Sequence, residues 1–361
     1  MPERPTTREA TSYQRPTVRV DTQEFPKVSE LMLEMEMTER EGGLSALELR
    51  LSNVASDDAS SDLAFEDDRI LKLGAAIAVY AGDASEPREV FQGTVTALEA
   101  EFTTDGAPTL VALAEDVFQR ARMARRTKLR DDVTIADVAR ELAGQLGLTP
   151  VVTALTENIG TQMQLNESDL AFLRRLLARY DADVQVVGTE LHVSPRRDVQ
   201  RGTLELALNS QLRRARVMAD LAHQVTEVTV GGWNPKQGER VSGTSSGAGL
   251  GPGSGRTGAQ LLRDSLGERS HHIAHLAVTT DDEARALADA AFDGRARRFL
   301  VVDATADGNP ALRVGTNVTL TGMGGRFDNT YYVTFARHRW DESRGYETDF
   351  TAECAYLGAG G

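Results

Sequence analysis

The sequence predicts a mainly β protein with an α+β insertion, in which two sibling β-domains flank a small α+β domain. Three observations carry that prediction. The first is a period of two between Gly315 and Glu353, where Val318 and Leu320 alternate with Asn317 and Thr319. Tyr331, Val333 and Phe335 then alternate with Tyr332, Thr334 and Ala336. Alternation rich in β-branched and aromatic residues marks a strand with one buried face. Gly322, Gly324 and Gly325, and then Ser343-Arg344-Gly345, supply the turns. The second observation is that the pattern recurs in residues 74–114. Gly74, Phe91 and Gly106 stand 239 to 241 residues before Gly315, Tyr331 and Gly345. Units this long are too large for a solenoid repeat and read as duplicated domains. The third is a change of period between the two copies, from two to the helical 3.6.

In chain order, residues 1–17 form a polar arm with Pro2, Pro5 and Pro16, expected to be mobile. The first β-domain spans 18–125. In it Leu31, Leu33, Met35 and Met37 alternate with Met32, Glu34, Glu36 and Thr38, Glu41-Gly42-Gly43 turns the chain, and Leu47, Leu49 and Leu51 follow. That is an antiparallel hairpin with one apolar face. Residues 53–69 are an acidic, Ser-rich loop. A run of strands without alternating helices favours a barrel or sandwich over a doubly wound fold. The middle domain spans 126–203. Thr134 caps a helix with Asp137 at N3, Ile135, Val138, Leu142 and Leu146 share one face, and Gly147 ends it. A second helix starts near Ser168, with Leu170, Leu173, Leu177 and Tyr180 inward and Arg174, Arg175 and Arg179 outward. Val184–Val193 is a hairpin turning at Gly188-Thr189. The second β-domain spans 204–355. Its segment 242–258 holds seven glycines in seventeen residues and reads as a disordered loop. Thr280 caps a helix whose buried face is Ala284, Leu287, Ala288, Ala291 and Phe292. Residues 356–361 are a tail.

Composition bounds the function. The net charge of −14 excludes general nucleic-acid binding and favours basic partners. Cys354 is the one cysteine, so neither an internal disulfide nor a Cys-based metal site can form. The first residues lack the apolar core of a signal peptide, and no run approaches the ~20 apolar residues of a membrane span; the expectation is a chain made in the cytoplasm. Residues 120–130 hold six basic positions in eleven: Arg120, Arg122, Arg125, Arg126, Lys128 and Arg130. They read as a helical connector meeting acidic neighbours or as a partner contact. His271, His272 and His275 have metal-like spacing, with His272 and His275 able to share a helical face, but lack a Glu base or cysteine partner. Asp131-Asp132 and Asp281-Asp282 sit at helix starts, where acids belong electrostatically, and Asp57-Asp58 in a polar loop. No GxSxG, Walker A loop or GxGxxG before a helix occurs. No catalytic, cofactor-binding or metal residue is assigned, no cofactor is expected, and the protein is read as not an enzyme.

The run QMQLNESDLAFLRRLLARYDADVQVVGTELHV, from Gln162 to Val193, resembles a segment of the phage late control gene D family. That family includes the central baseplate hubs of contractile tails and the hub part of VgrG proteins. The resemblance rests on Gln164, Asn166, Glu167, Ser168, Asp169, Leu170, Phe172, Leu173 and Tyr180. FQGTVTALEAEF, with Phe91 and Gly93, is similar to that family's first tube-like domain. GNPALRVGT, with Gly308, Asn309 and Gly315, and YYVTFARHRWD, with Tyr332 and Trp340, are similar to its second. The resemblance implies two tail-tube-like β-barrels per chain and a homotrimer, a virion-type structural component that forms a pseudo-hexameric ring. It implies as partners the other copies of the chain, a spike protein, inner-tube or tube-initiator proteins, baseplate wedge proteins and cargo in the lumen, with no nucleic-acid specificity. It places the chain in the baseplate of a phage or contractile injection system, whether cytosolic, membrane-docked or released. Only CAYLGAGG follows Glu353, so the resemblance implies that the spike is a separate chain. The competing readings are a peptidoglycan-degrading or carbohydrate-binding tail component and a tail-tube initiator.

Overall fold

The period-two runs become one thirteen-stranded sheet in the computed structural model, which describes residues 15–55, 63–82 and 87–358. Residues 1–14 of the expected arm, 56–62 of the acidic loop and 359–361 of the tail lie outside the described residues. The first part of the chain supplies β1 (Thr17–Val20), β2 (Gln23–Glu24), the short helix α1 (Pro26–Glu30), β3 (Met32–Arg40), β4 (Ala46–Ser52), β5 (Ala76–Ala81), β6 (Arg88–Glu101) and β7 (Thr109–Glu115). Alternation becomes burial past a bulge at Leu33: Met35, Met37, Leu47, Leu49 and Leu51 enter a core with Ile77, Val79 and Phe91. Before the bulge the expected phase is reversed, with Met32 buried and Leu33 exposed.

The middle part supplies α2 (Phe118–Met123), β8 (Arg125–Arg130), α3 (Ile135–Leu146), β9 (Thr149–Val152), β10 (Gln162–Ser168), α4 (Asp169–Arg179), β11 (Ala182–Val187) and β12 (Glu190–Pro195). Thr134 and Asp137 form a capping box on α3, and Gly147 ends it in the left-handed region at φ 73°. The stripes of α3 and α4 meet over a core that includes Phe118, Leu142, Phe172, Leu173 and Val184. The basic stretch is helical only in α2; β8 is a strand paired with β10. Arg174 is not outward as expected, since its Nε and Nη2 donate to the carbonyls of Gly42 and Gly43, each at 2.5 Å.

The last part supplies β13 (Thr203–Ala207), β14 (Leu212–Ala219), β15 (Glu227–Asn234), β16 (Glu239–Ser245), β17 (Arg256–Thr257), α5 (Gly258–Leu266), β18 (Ser270–Ile273), α6 (Asp281–Arg297), β19 (Leu300–Asp307), β20 (Asn317–Thr321), β21 (Asn329–Asp341), β22 (Gly345–Cys354) and β23 (Tyr356–Leu357). The barrel strands are β13, β14, β19, β20, β21 and β22, with a core of Leu206, Leu300, Val302, Val318, Tyr331 and Phe350. Between β14 and β19 sits a separate layer: a three-stranded sheet, β16-β15-β18, covered by α6. The segment 242–258 is therefore not a disordered loop throughout. Its glycines are close-packing positions: a Cβ at Gly243 would lie 2.1 Å from Arg285 N on α6, and one at Gly255 would lie 2.2 Å from Leu357 O. Tyr356 and Leu357, at the start of the expected tail, form β23, which pairs with β17.

The duplication extends to hydrogen bonds. In chain order the first set is β1, β3, β4, β5, β6, β7, and its sheet order is β3-β4-β7-β6-β5-β1. The second set, taken in the same chain order, has sheet order β14-β19-β22-β21-β20-β13, which is the same permutation. Gly74 N donates to Val95 O (2.8 Å) and Val95 N to Ala75 O (2.9 Å). Gly315 N donates to Val333 O (2.9 Å) and Val333 N to Thr316 O (3.0 Å). A bulge follows each, between Val95 and Ala97 and between Val333 and Phe335. The threonine in each bulge donates to the partner strand, Thr96 Oγ1 to Leu113 O and Thr334 Oγ1 to Thr351 O. A second pair of bulges lies between Met32 and Glu34 and between Leu212 and Arg214. Bulges are specific features rather than accidents, so four at matching places mark siblings. The copies differ in the last pairing: β1 runs antiparallel to β5, whereas β13, arriving from the middle domain, runs parallel to β20.

The two barrels share one seam. β21 outruns β20, and its second half pairs with β3, with Phe335 opposite Arg40, Arg337 opposite Thr38, Arg339 opposite Glu36 and Asp341 opposite Glu34. The hairpin end carries Trp340 and Tyr346 into the first barrel's core. Trp340→Ala is expected to cost about 3–5 kcal/mol through the cavity left behind. Chemical denaturation should show that loss, and a variant within 1 kcal/mol of the parent would place the anchor elsewhere.

Candidate interface surfaces

The motif residues converge on one structure, the β8–β10 ribbon and the start of α4. Directly opposite residues on the ribbon share a face. On the inner face, Gln164 is buried and its Nε2 donates to Asp169 Oδ1 (2.9 Å) and Glu167 O (3.0 Å). Arg126 Nε donates to Asp169 Oδ2 at 2.9 Å, Lys128 Nζ reaches Glu141 Oε1 at 3.0 Å, and Arg130 also binds Glu141. The Arg130 and Arg175 guanidiniums lie 5.3 and 5.2 Å from the centroid of the Phe172 ring. Ser168 Oγ caps α4 by accepting from Ala171 N, and Glu167 takes a two-pronged contact from Arg175. Asn166 sits at φ 50° where the ribbon register shifts. Leu170, Phe172 and Leu173 are core, and Tyr180 is half-buried between that core and α6.

The outer face of the same ribbon is apolar and exposed: Leu129 stands opposite Met163, with Leu165 beside them. Met123, at the end of α2, is exposed as well. Of the basic stretch, Arg122 binds Glu115 and Arg125 Nη1 donates to Asn166 O (2.9 Å). Arg120 has no carboxylate partner among the described residues. Three of the six charges, Arg126, Lys128 and Arg130, thus hold the ribbon to α3 and α4.

The remaining motif residues occupy the barrels. Phe91 lies in the first core, and a Cβ at Gly93 would lie 2.3 Å from Glu115 O. Gly308 faces the Tyr346 ring, where a Cβ would approach within 2.1 Å. Asn309 Oδ1 accepts from Ala311 N (3.0 Å), which shapes the turn before Gly315. Tyr332 is fully enclosed, and burial holds its hydroxyl well above the usual tyrosine range. His338, buried beside Tyr346, hydrogen bonds to its hydroxyl at 2.8 Å, and burial pulls its pKa down to about 3.

Sequence reading missed a charged junction at the meeting of barrels and middle domain. Arg297 holds Asp181 through two contacts of 2.5 Å. Arg201 binds Asp183 at 2.9 Å, and the other Asp183 oxygen accepts from Gly42 N at 2.8 Å. Arg196 lies 3.0 Å from Glu41. Gln185 Nε2 donates to Arg40 O at 2.9 Å. Each link ties the first hairpin turn or the second barrel to β11 or its neighbours. The residues are scattered over some 260 positions, so no local signal marks them.

The three histidines do not share a helical face, because His271 and His272 lie on the strand β18, where neighbours point oppositely. A groove of about 690 Å³ runs between residues 154–159 and α6, edged by Glu157, Asp282, Glu283 and Asp289. Three of its acids are engaged in structure: Glu283 accepts from Thr279 N (3.1 Å), Asp289 from Arg285 Nε (3.4 Å), and Asp293, also in the lining, from Ala248 N and Gly249 N. Among the described residues no helix is long and apolar enough to cross a membrane.

Burial pushes the Glu41 carboxyl up to about 8 against the opposing pull of Arg196. The folded state therefore holds this proton more tightly than the unfolded state. The associated stability is complete below the ordinary glutamate range and is lost as pH rises through about 8. Melting curves of the parent and of Glu41→Gln should coincide near pH 4 and diverge toward pH 9, with the variant the more stable at alkaline pH. Parallel curves across that window would rule this out.

A family model described as the Alg8 N-terminal domain matches residues 12–342. No curated protein matches the sequence. Among solved structures, the 43 kDa tail protein of prophage MuSo2 from Shewanella oneidensis aligns with a TM-score of 0.68 at 14% identity, covering 94% of this chain and 97% of that one. The tail protein from Neisseria meningitidis MC58 aligns with a TM-score of 0.64 at 12% identity, covering 94% and 96%. An E. coli protein described as a type VI secretion component, structurally similar to the T4 bacteriophage tail proteins gp27 and gp5, aligns with a TM-score of 0.55 at 13% identity, covering 96% and 79%. The chain has the fold of phage-tail proteins.

Proposed function

The chain belongs to the family of the Alg8 N-terminal domain, and from its paired sibling barrels and the fold it shares with phage-tail proteins we propose that it is the structural baseplate hub of a phage tail or contractile injection system. In this reading it resembles the late control gene D hubs. Three copies form a ring of six near-equivalent barrels, one face meeting a sixfold inner tube and the other a threefold spike. Residues 18–125 and 204–355 supply the barrels and 126–203 the connector. The chain works by shape and does no bond chemistry.

One observation carries the reading. Two barrels of the same strand permutation are joined edge to edge in one sheet, through β3 and β21. A chain with two equivalent units turns threefold assembly into pseudo-sixfold assembly. The exposed apolar face of Leu129, Met163 and Leu165 is the proposed contact for a further baseplate or tube partner, and Arg120 a second one. Fold similarity to proteins of tails and of type VI secretion supports the setting.

The mass of the purified protein tests the ring. Native mass spectrometry or light scattering is expected to find three copies, at once or on addition of the spike. A strict monomer at high concentration with spike and tube proteins present would count against it.

A further inference from the structure

We infer that copies of this chain join through the open edge of β14 on one copy and the free second half of β6 on the next, with charges reversed relative to the seam inside each chain. The inference rests on the ring reading above and specifies its contact. The internal seam is the template. β21 corresponds to β6 and β3 to β14, through the matched bulges at Thr334 and Thr96 and at Leu33 and Arg213. Inside the chain, the second half of β21 has found β3. The second half of β6, past Thr94, has β7 on one side and no strand on the other among the described residues. β14 from Arg214 onward has β19 on one side and likewise none on the other. Each chain therefore offers one open edge of each kind, which is the condition for a head-to-tail ring.

Carrying the internal register across places Glu101 opposite Arg216, Phe102 opposite Ala215 and Thr103 opposite Arg214. Their templates are Arg339 opposite Glu36, Trp340 opposite Met35 and Asp341 opposite Glu34. Two features of the free edges are then explained. Phe102 is 65% exposed although its counterpart Trp340 is 3% exposed and sits in the neighbouring barrel's core. Phe102 fills the second barrel's core of the next copy in the same way, and Met218, 53% exposed, is covered by the same strand. The charges are also complementary. The internal seam sets Glu34 and Glu36 on β3 against Arg337 and Arg339 on β21, with Arg337 3.7 Å from Glu36. The open edges carry Arg214 and Arg216 on β14 and Glu99 and Glu101 on β6. An acidic β6 is repelled by a β3-type edge and attracted by β14, so the reversal forces barrels to alternate around the ring.

The test uses the full chain. Glu99→Arg with Glu101→Arg, and separately Arg216→Glu, should each weaken assembly about tenfold while leaving the monomer's melting temperature nearly unchanged, since the Arg50–Glu101 pair lost in the first (3.4 Å) is exposed. Glu101→Arg combined with Arg216→Glu should restore assembly. Phe102→Ser should do the same without destabilising the monomer. In the double variant Glu101→Cys, Arg216→Cys, directly opposed positions lie within disulfide reach, and mild oxidation should give a chain ladder ending at three. The native Cys354 is buried and does not interfere. If the parent forms rings but the charge variants assemble normally and the cysteines do not link, this contact is wrong while the ring stands. If the parent forms no assembly with its partners, both fail.

Discussion

The backbone pairing between β3 and the second half of β21 is the contact on which the architecture depends. It fuses two six-stranded sets into one sheet and delivers Trp340 and Tyr346 into the core of the other set. The first barrel is not complete alone in this arrangement: it borrows an aromatic plug from the second. Arg15 reinforces the plug from outside, with its guanidinium 5.0 Å from the Trp340 ring centroid and an ion pair to Glu342. A shared core of this kind couples the barrels more tightly than a polar interdomain surface, for which relative motion is the default.

The charged junction adds register rather than simple attraction. Asp181, Asp183, Glu41, Arg196, Arg201 and Arg297 are largely out of solvent, and desolvation consumes much of what their pairing gains. Their value lies in direction: Asp183 receives Gly42 N and Arg201 at once, so the first hairpin turn, the middle sheet and the strand-leading segment before β13 are held in one geometry. Arg174, on the two carbonyls of the same turn, closes it from the α4 side. The pH response of Glu41 follows from this enclosure, because burial penalises its carboxylate more than Arg196 stabilises it, and Asp183 and Glu353 add to that penalty.

Sibling barrels that differ in edge charge give a simple account of order in assembly. The same strand permutation supplies equivalent edges, and in the proposed ring sequence divergence on those edges would decide which edges meet. Duplication alone would leave each barrel free to pair with its own kind. Opposite signs on β3 and β14, and again on β21 and β6, would remove that freedom at little cost to the monomer, since surface charges contribute little to its stability.

Much of this fold was legible in the residues because its signals are local. Alternation at Val318–Leu320 and Leu47–Leu51, the Thr134–Asp137 cap with its Gly147 stop, and the matched glycines Gly74 and Gly315 each depend on neighbours in the chain. The motif around Asn166–Asp169 was visible as a pattern, though not as the clasp between ribbon and helix that it forms. What tertiary structure alone decided is pairing at a distance: the layer of β15, β16 and β18 set between barrel strands, the glycines of 242–258 spent on close packing, the strand rather than helix at the histidines, and the gathering of Glu41 with Arg196 and Asp183 with Arg201. The sequence by itself determined that one module occurs twice and most of the inward faces, but not the phase at the bulges, where Met32 and Ala336 are buried in place of Leu33 and Phe335. Which strand edges meet was left to the folded chain, because backbone hydrogen bonds between strands carry no side-chain signature until the cores on either side bring those edges together.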